Sequence, residues 1–205
     1  MELIDLTHTF AIPMPLYPGD DQPEIKPTAT LSADGHINSY LKSGLHVGTH
    51  IDAPLHFIGD GKKISEMPVH QFFGRGRLVD ARGELTIHEG LLDKIDLKAN
   101  DIVLVMTGMS KDYKTPKYFK NYPEVTEDFA QKLVDKGISM LGLDTCSPDK
   151  EPYDIHKMLL GNNILIIENL TNLDALVGAE FSVIALPLKL DAEASLARVI
   201  AGVEN

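Results

Sequence analysis

Residues 46–56 read HVGTHIDAPLH, which puts three histidines, an aspartate, a glycine and a proline into eleven positions. Imidazoles and carboxylates are the side chains that Zn²⁺, Mn²⁺ and Fe²⁺ accept as ligands. His46, His50, Asp52 and His56 have the same parity, so an extended chain presents all four on one face. A straight strand would nevertheless hold His46 and His50 about 13 Å apart, at about 3.3 Å per residue, whereas metal bonds are only about 2 Å long. The chain must bend between them, and Gly48 is the residue that permits it. A helix would also align His46 with His50, but Gly48, the β-branched Thr49 and Ile51, and Pro54 argue against one. Pro54 biases Ala53 toward an extended shape and directs the chain away from Asp52.

Two imidazoles and one carboxylate make a three-ligand set for Zn²⁺, Mn²⁺ or Fe²⁺ that leaves positions open for water and substrate. His56, four residues further on, suits proton transfer better than a fourth bond to metal, because imidazole titrates near neutral pH. The competing explanation is a polar loop whose histidines bond to backbone groups. Four such groups around a bend-permitting glycine favour the metal.

Elsewhere the chemistry is sparser. His156 falls on an expected helix, and Glu168 ends the apolar run ILIIE, where a charge needs a partner. The two could complete a second metal site or form a buried hydrogen-bonded pair. His8, His36, His70 and His88 lack neighbours of this kind and are expected to be structural or at the surface. The single cysteine, Cys146, excludes an internal disulfide framework and is expected to be a small core residue rather than a nucleophile. GRGRL at 74–78 lacks the full glycine pattern and following helix of a dinucleotide site.

These groups must be positioned by a strand-rich scaffold. Apolar or alternating runs predict strands at LIDL, TATLSA, SYLKSGLHV, GRLVDA, DIVLVMTG, ISMLGLD, ILIIENL, FSVIALPLKL and SLARVIAGV. Helices are expected at 126–137, with Thr126 as N-cap and Gly137 as stop, at 87–95 and at 152–161. Strands only sometimes separated by helices point to an α+β fold with a mixed sheet, and 205 residues of ordinary composition to one domain over 1–205. The formal charge of −11 and the absence of basic clusters argue against nucleic acid and for a small-molecule partner. No apolar run approaches the length of a membrane span. The opening MELIDLTHTF has neither a basic region nor a long apolar run, so a cytoplasmic setting is expected.

HVGTHIDAPLH matches HxGTHxDxPxH without a break. With DLTHTF and MPLYPGD before it, and GLDTCSPD and HKMLLGNNILIIENLTNLDAL after it, the chain resembles the metal-dependent cyclase family, which includes bacterial kynurenine formamidases (arylformamidases) and isatin hydrolases. The resemblance runs through most of the chain. It implies a swivelling β/β/α-type domain, a homodimer and two Zn²⁺ ions, with Mn²⁺ as the alternative metal. His46, His50 and Asp52 would bind one ion, and Asp52 would bridge to a second held by His156 and Glu168. His56 would be the proton-transferring histidine, and Tyr17, before PGD, would contact substrate. Two features depart from the pattern. Tyr17 stands where Trp or Phe is usual, and DAEASLARVIA replaces a Gly-Ser-Pro-x-Arg run near the C-terminus.

The expected activity is hydrolysis of an amide C–N bond, N-formyl or cyclic, by a metal-activated water with His56 as proton shuttle. Two rivals remain at this stage. A non-haem iron oxygenase would also use two histidines and a carboxylate, and a metal-stabilised binding protein could have lost catalysis.

Overall fold

The computed structural model describes residues 1–204. Its strands are β1 (Glu2–Asp5), β2 (Glu24–Ala29), β3 (Asn38–Lys42), β4 (His50–Asp52), β5 (Phe73–Asp80), β6 (Thr86–Ile87), β7 (Ile102–Met106), β8 (Glu124–Val125), β9 (Met140–Leu143), β10 (Leu165–Glu168), β11 (Phe181–Pro187) and β12 (Ala194–Val203). Its helices are α1 (Leu31–Asp34), α2 (Glu127–Lys136) and α3 (Asp154–Gly161).

Eight strands form one mixed sheet in the order β1-β12-β11-β5-β7-β9-β10-β4, and β4 also pairs with β12. Seven of them therefore close into a barrel-like ring, with β1 added outside on β12. β5, β7, β9 and β10 run parallel to their neighbours in that order, and the remaining pairs are antiparallel. Strands buried on both faces need continuous apolar runs, which explains IVLVM in β7. With a period of two, Ile102, Leu104 and Met106 join the cluster containing Ile167 and Val199, while Val103 and Val105 join the one packed under α2 and α3.

α2 forms as its sequence dictates. The Thr126 hydroxyl accepts from the Phe129 N–H, Glu127 and Asp128 occupy the first turn, and Gly137 stops the helix in the left-handed region. Phe129, Ala130 and Leu133 are buried, each large side chain contributing about 1.5–3 kcal/mol. α3 starts two residues later than expected, leaving Pro152 outside it.

Three expectations need correction. Residues 87–95 do not make a helix: Ile87 pairs with Val125 in parallel, and only a 3₁₀ turn over Glu89–Leu92 follows, since Gly90 weakens a run too short to sustain an α-helix. In TATLSA the strand ends at Ala29, because the Asp34 carboxylate accepts the Thr30 N–H and the chain turns into α1. β4, which carries His50 and Asp52, has no alternation signal of its own and was not among the expected strands.

β2 and β3 pair with each other and with no other strand among the described residues. Ile25, Ile37, Tyr40 and Leu41 on this arm are exposed. No helix among the described residues is long and apolar enough to cross a membrane.

Candidate metal centre

Gly48 has φ +70°, so the bend demanded by the ligand spacing is present at the expected residue. A Cβ there would lie 3.0 Å from the Met14 methyl carbon. The loop is tied down from behind: the Thr49 hydroxyl donates to the Asn169 carbonyl (2.6 Å), and the Asn169 amide donates to the Gly48 carbonyl (3.0 Å) and accepts from the Tyr118 hydroxyl (2.9 Å). Asn169, the start of the sequon NLT, is thus a buried clamp.

After the bend, β4 runs antiparallel to β10 with His50 opposite Glu168 and Asp52 opposite Ile166. Opposed residues share a face, so the register itself brings the distant glutamate to the histidine loop. His156 arrives from α3. Its Nε2 lies 3.4 Å from Glu168 Oε1 and 3.9 Å from Asp52 Oδ2. His50 Nε2 lies 3.4 Å from both Asp52 Oδ1 and Glu168 Oε2, and His46 Nδ1 is 2.9 Å from Asp52 Oδ1. The structure thus brings together His46, His50, Asp52, His156 and Glu168.

Asp52 stands at the middle of this group, with Oδ1 toward His46 and His50 and Oδ2 toward His156. Its carboxylate is fully buried, and despite the 2.9 Å approach of His46 Nδ1 neither oxygen receives a hydrogen bond of good geometry. The His50 ring lies 2.8 Å from the Gly48 carbonyl through Nδ1, which fixes that nitrogen as the donor and leaves Nε2 buried without a partner. A buried, unpartnered imidazole nitrogen facing two carboxylates is an arrangement that a cation satisfies and a neutral polar loop does not. The donor set therefore fits a divalent metal ion.

The electrostatics carry the same message. Burial alone would raise the Asp52 carboxyl, but His50 and His46 hold it well below its usual range. Burial alone would lower His50, but Asp52 and Glu168 hold it well above. For His156 burial is likewise outweighed, by Asp149 and Glu168, and its pKa rises to about 9. The missing positive charge is supplied by protons wherever no metal supplies it.

His56 is half-buried and stacks on His46 with ring centroids 4.1 Å apart. Burial, helped by His46 and His156, lowers its pKa to about 4 against the pull of Asp52, so it is neutral near pH 7. Donor atoms group as His46, Asp52 and His56 on one side and as His50, Asp52 and Glu168 on the other. His56 therefore lies closer to the ligands than a purely distal proton shuttle would.

A cavity of about 340 Å³ opens above these residues, bounded by Tyr17, Phe57, Cys146 and Tyr153. That is the lower end of the size range of small-molecule sites. Tyr17 lines the cavity, and burial and Tyr153 raise its pKa to about 12. Cys146 is buried among Met14, Val47 and Tyr118, with its thiol raised to about 12 by burial and Glu168. It behaves as the expected core residue. His36, His70 and His88 are exposed, and His8 stacks on Tyr113 at 3.7 Å while its backbone N–H donates to the Thr49 hydroxyl (3.0 Å).

Asp149 escaped the sequence reading. Its Oδ1 lies 2.5 Å from His156 Nδ1 and its Oδ2 accepts the Ile155 N–H at 2.7 Å. An acidic residue seven positions before a histidine on a helix start was the available signal. Tyr153, at the start of α3, was also missed as a cavity residue.

A ring of strands carrying a buried histidine–carboxylate centre defines a metal-site scaffold of the cyclase type, and the relatives agree. Residues 4–150 match the family model described as Cyclase, putative cyclase, and the chain belongs to this family. An uncharacterised protein of Methanocaldococcus jannaschii is 39% identical over 98% of this chain and 99% of its own length. Kynurenine formamidase of Bacillus cereus is 31% identical over 97% of this chain and 96% of its own. Among solved structures, an isatin hydrolase bound to the product analogue thioisatinate superposes with a TM-score of 0.89 over 98% of this chain and 91% of that one; at 23% identity it establishes the fold, including its α+β character.

Proposed function

We propose that this chain hydrolyses an amide C–N bond, in an open N-formyl group or a cyclic amide, using one or two divalent cations. The observation that carries the proposal is Asp52, buried with neither oxygen in a well-formed hydrogen bond and with imidazoles on each side. Likeness to the Bacillus cereus kynurenine formamidase over nearly the full length supports the amide class. His46, His50 and Asp52 would hold one ion, with Asp52 shared to a second held by His156 and Glu168. Zn²⁺ suits this nitrogen–oxygen set, and Mn²⁺ is the alternative.

When bound there, such a cation lowers the pKa of water from about 16 toward about 7 and polarises the substrate carbonyl. The chain's own residues do the rest. His56, kept neutral by burial, takes a proton from the attacking water and passes it to the leaving nitrogen. The C–N bond breaks, giving formate and an amine from an N-formyl group or a single ring-opened amino acid from a cyclic amide. Tyr17 contacts the substrate at the entrance.

The test is elemental analysis of protein purified without added metal, followed by assays on N-formylkynurenine and a panel of cyclic amides and lactones. Bound Zn²⁺ or Mn²⁺ with turnover of an amide is expected. Turnover that consumes O₂, or metal without turnover of any panel member, would overturn the proposal.

The working unit is proposed to be a homodimer that covers the β2–β3 arm. An isolated two-stranded hairpin is marginal in water, and this one presents Ile25, Ile37, Tyr40 and Leu41 to solvent. A second copy offers the same arm in reciprocal fashion, as a two-fold contact requires.

A further inference from the structure

The motif GRGRL at 74–78 lies on β5. Its glycines serve packing: a Cβ on Gly76 would strike the Phe181 ring, and one on Gly74 would stand 2.8 Å from the Asn100 carbonyl oxygen. Its arginines share the opposite face, and they differ. Arg75 grips Asp101 side-on, Nε donating to one carboxylate oxygen (2.9 Å) and Nη2 to the other (2.7 Å). Arg82 holds Asp80 by the same fork (2.8 and 2.6 Å), and so does Arg198 hold Asp5 (2.9 and 2.8 Å). Arg77 is the one arginine left. It forms no ion pair among the described residues, and its Nε is buried without a hydrogen-bond partner. The acids around it are engaged elsewhere: Asp80 by Arg82, Asp101 by Arg75, and Asp96 by Lys98 at 3.2 Å. A buried donor left unpaired is costly, so the empty fork calls for a partner.

β5 pairs with β11 only through Phe73–Arg75, and beyond Arg75 the two strands part. Between them opens a cavity of about 300 Å³, bordered by Arg77 and lined by Leu78, Ile95, Leu176, Val177 and Phe181. Lys94, exposed on its rim, likewise forms no ion pair among the described residues, and the carboxylate on its wall, Asp80, is neutralised by Arg82. Two free cations thus face an apolar hollow in a chain of formal charge −11. Glu180 and Glu204 border a separate hollow with Arg75, and neither pairs with Arg77. No residue lines both this cavity and the one above the histidines.

We propose that this cavity binds a small organic acid, with its carboxylate in the Arg77 fork beside Lys94 and its apolar body against Leu176, Val177 and Phe181. The planar guanidinium matches the two oxygens of a carboxylate, as the Asp101, Asp80 and Asp5 pairs display on the same molecule. The apolar walls favour an acid with a hydrocarbon body over a bare anion. Nothing in this site depends on the hydrolase reading.

The test is a two-dimensional NMR titration of the Zn²⁺-loaded protein with hexanoate, and with acetate, inorganic phosphate and hexanol as probes of head or tail alone. Amide shifts at Gly76 and Gly178 report this cavity, whereas shifts at Cys146 and Tyr153 report the histidine centre. Hexanoate should saturate the Gly76 and Gly178 shifts, and each of the other probes should bind at least about tenfold more weakly. Arg77→Met should weaken hexanoate about tenfold or more, yet melt without ligand at or above the wild-type temperature, since it removes a buried charge that has no partner. Lys94→Gln, at an exposed position, should melt as the wild type does and weaken hexanoate about threefold. Should Arg77→Met melt lower, a weakened affinity in Lys94→Gln still supports the site and an unchanged one overturns it. Shifts confined to Cys146 and Tyr153, or none at Gly76 and Gly178 up to about 10 mM hexanoate, would overturn the proposal. So would phosphate binding as tightly as hexanoate, or hexanoate affinity unchanged in Arg77→Met.

Discussion

Asp149 and His156 meet at the first turn of α3, 2.5 Å apart through Oδ1 and Nδ1, while the other Asp149 oxygen accepts the Ile155 N–H. One carboxylate therefore orients the His156 imidazole and anchors the helix that carries it. With Nδ1 engaged, Nε2 is the nitrogen turned toward Glu168 and Asp52. Replacing Asp149 with Asn puts an amide that can donate against Nδ1 and disturbs the tautomer. Loss of such a partner lowers metal affinity by about 10–100-fold. Equilibrium dialysis with elemental analysis should show one ion retained and the other weakened in D149N, with a melting temperature close to that of the wild type.

Gly48→Ala tests the bend. A β-carbon at φ +70° costs about 1–2 kcal/mol, before the 3.0 Å approach to the Met14 methyl is counted. Denaturant unfolding of metal-free protein should show at least that loss. Measured in a Met14→Ala background, the increment due to Gly48→Ala should shrink to the backbone part.

His56→Ala distinguishes proton carrier from ligand. As a carrier it should reduce turnover about 10²–10⁴-fold with metal content unchanged. A fall in metal content measured on the same sample would make His56 a ligand, as its grouping with His46 and Asp52 permits.

The acid limb of stability should report His8, whose pKa is lowered to about 4 by burial, with Lys114 adding to the shift. In the unfolded chain this imidazole takes up its proton near pH 6.5. Between pH 6.5 and 4 the unfolded state therefore binds more protons, so the contribution present above 6.5 is lost as pH falls toward 4. His8→Phe keeps a ring against Tyr113 and removes the titration. Chelated wild-type and H8F proteins, unfolded by denaturant across this range, should differ in slope by up to about one proton.

For the arm, light scattering after gel filtration should give twice the chain mass. Leu41→Lys together with Ile25→Glu should shift the protein toward the monomer. A wild-type monomer at all concentrations would remove the dimer proposal.

Much of this molecule was legible in its sequence because much of it is local. β7 and β9 are apolar runs buried on both faces, and α2 announces itself with Thr126 and Gly137. The histidine loop was legible because its parity and glycine are themselves the geometry. What was hidden depends on distant pairing. Nothing near Glu168 reveals that it will lie opposite His50, since only the antiparallel register of β10 and β4 makes it so. β4 is three residues long and carries His50 and Asp52, so it shows no alternation to detect. Asp149 looks like any loop acid until α3 is folded against it. Residues 87–95 misled because Leu91 and Leu92 suit a helix stripe, yet Gly90 and the pairing of Ile87 with Val125 draw the chain elsewhere.

β4 is the stave that completes the ring, hydrogen-bonded to β10 on one side and to the first residues of β12 on the other. His50 and Asp52 cannot move without opening the barrel, which makes their geometry the least mutable part of the architecture. Tyr17, Phe57 and Tyr153 lie outside the strands and answer to no such constraint. Libraries that seek new substrates should therefore diversify these rim positions and leave β4 and its neighbours untouched, since the scaffold has already divided itself into a fixed engine and an exchangeable entrance.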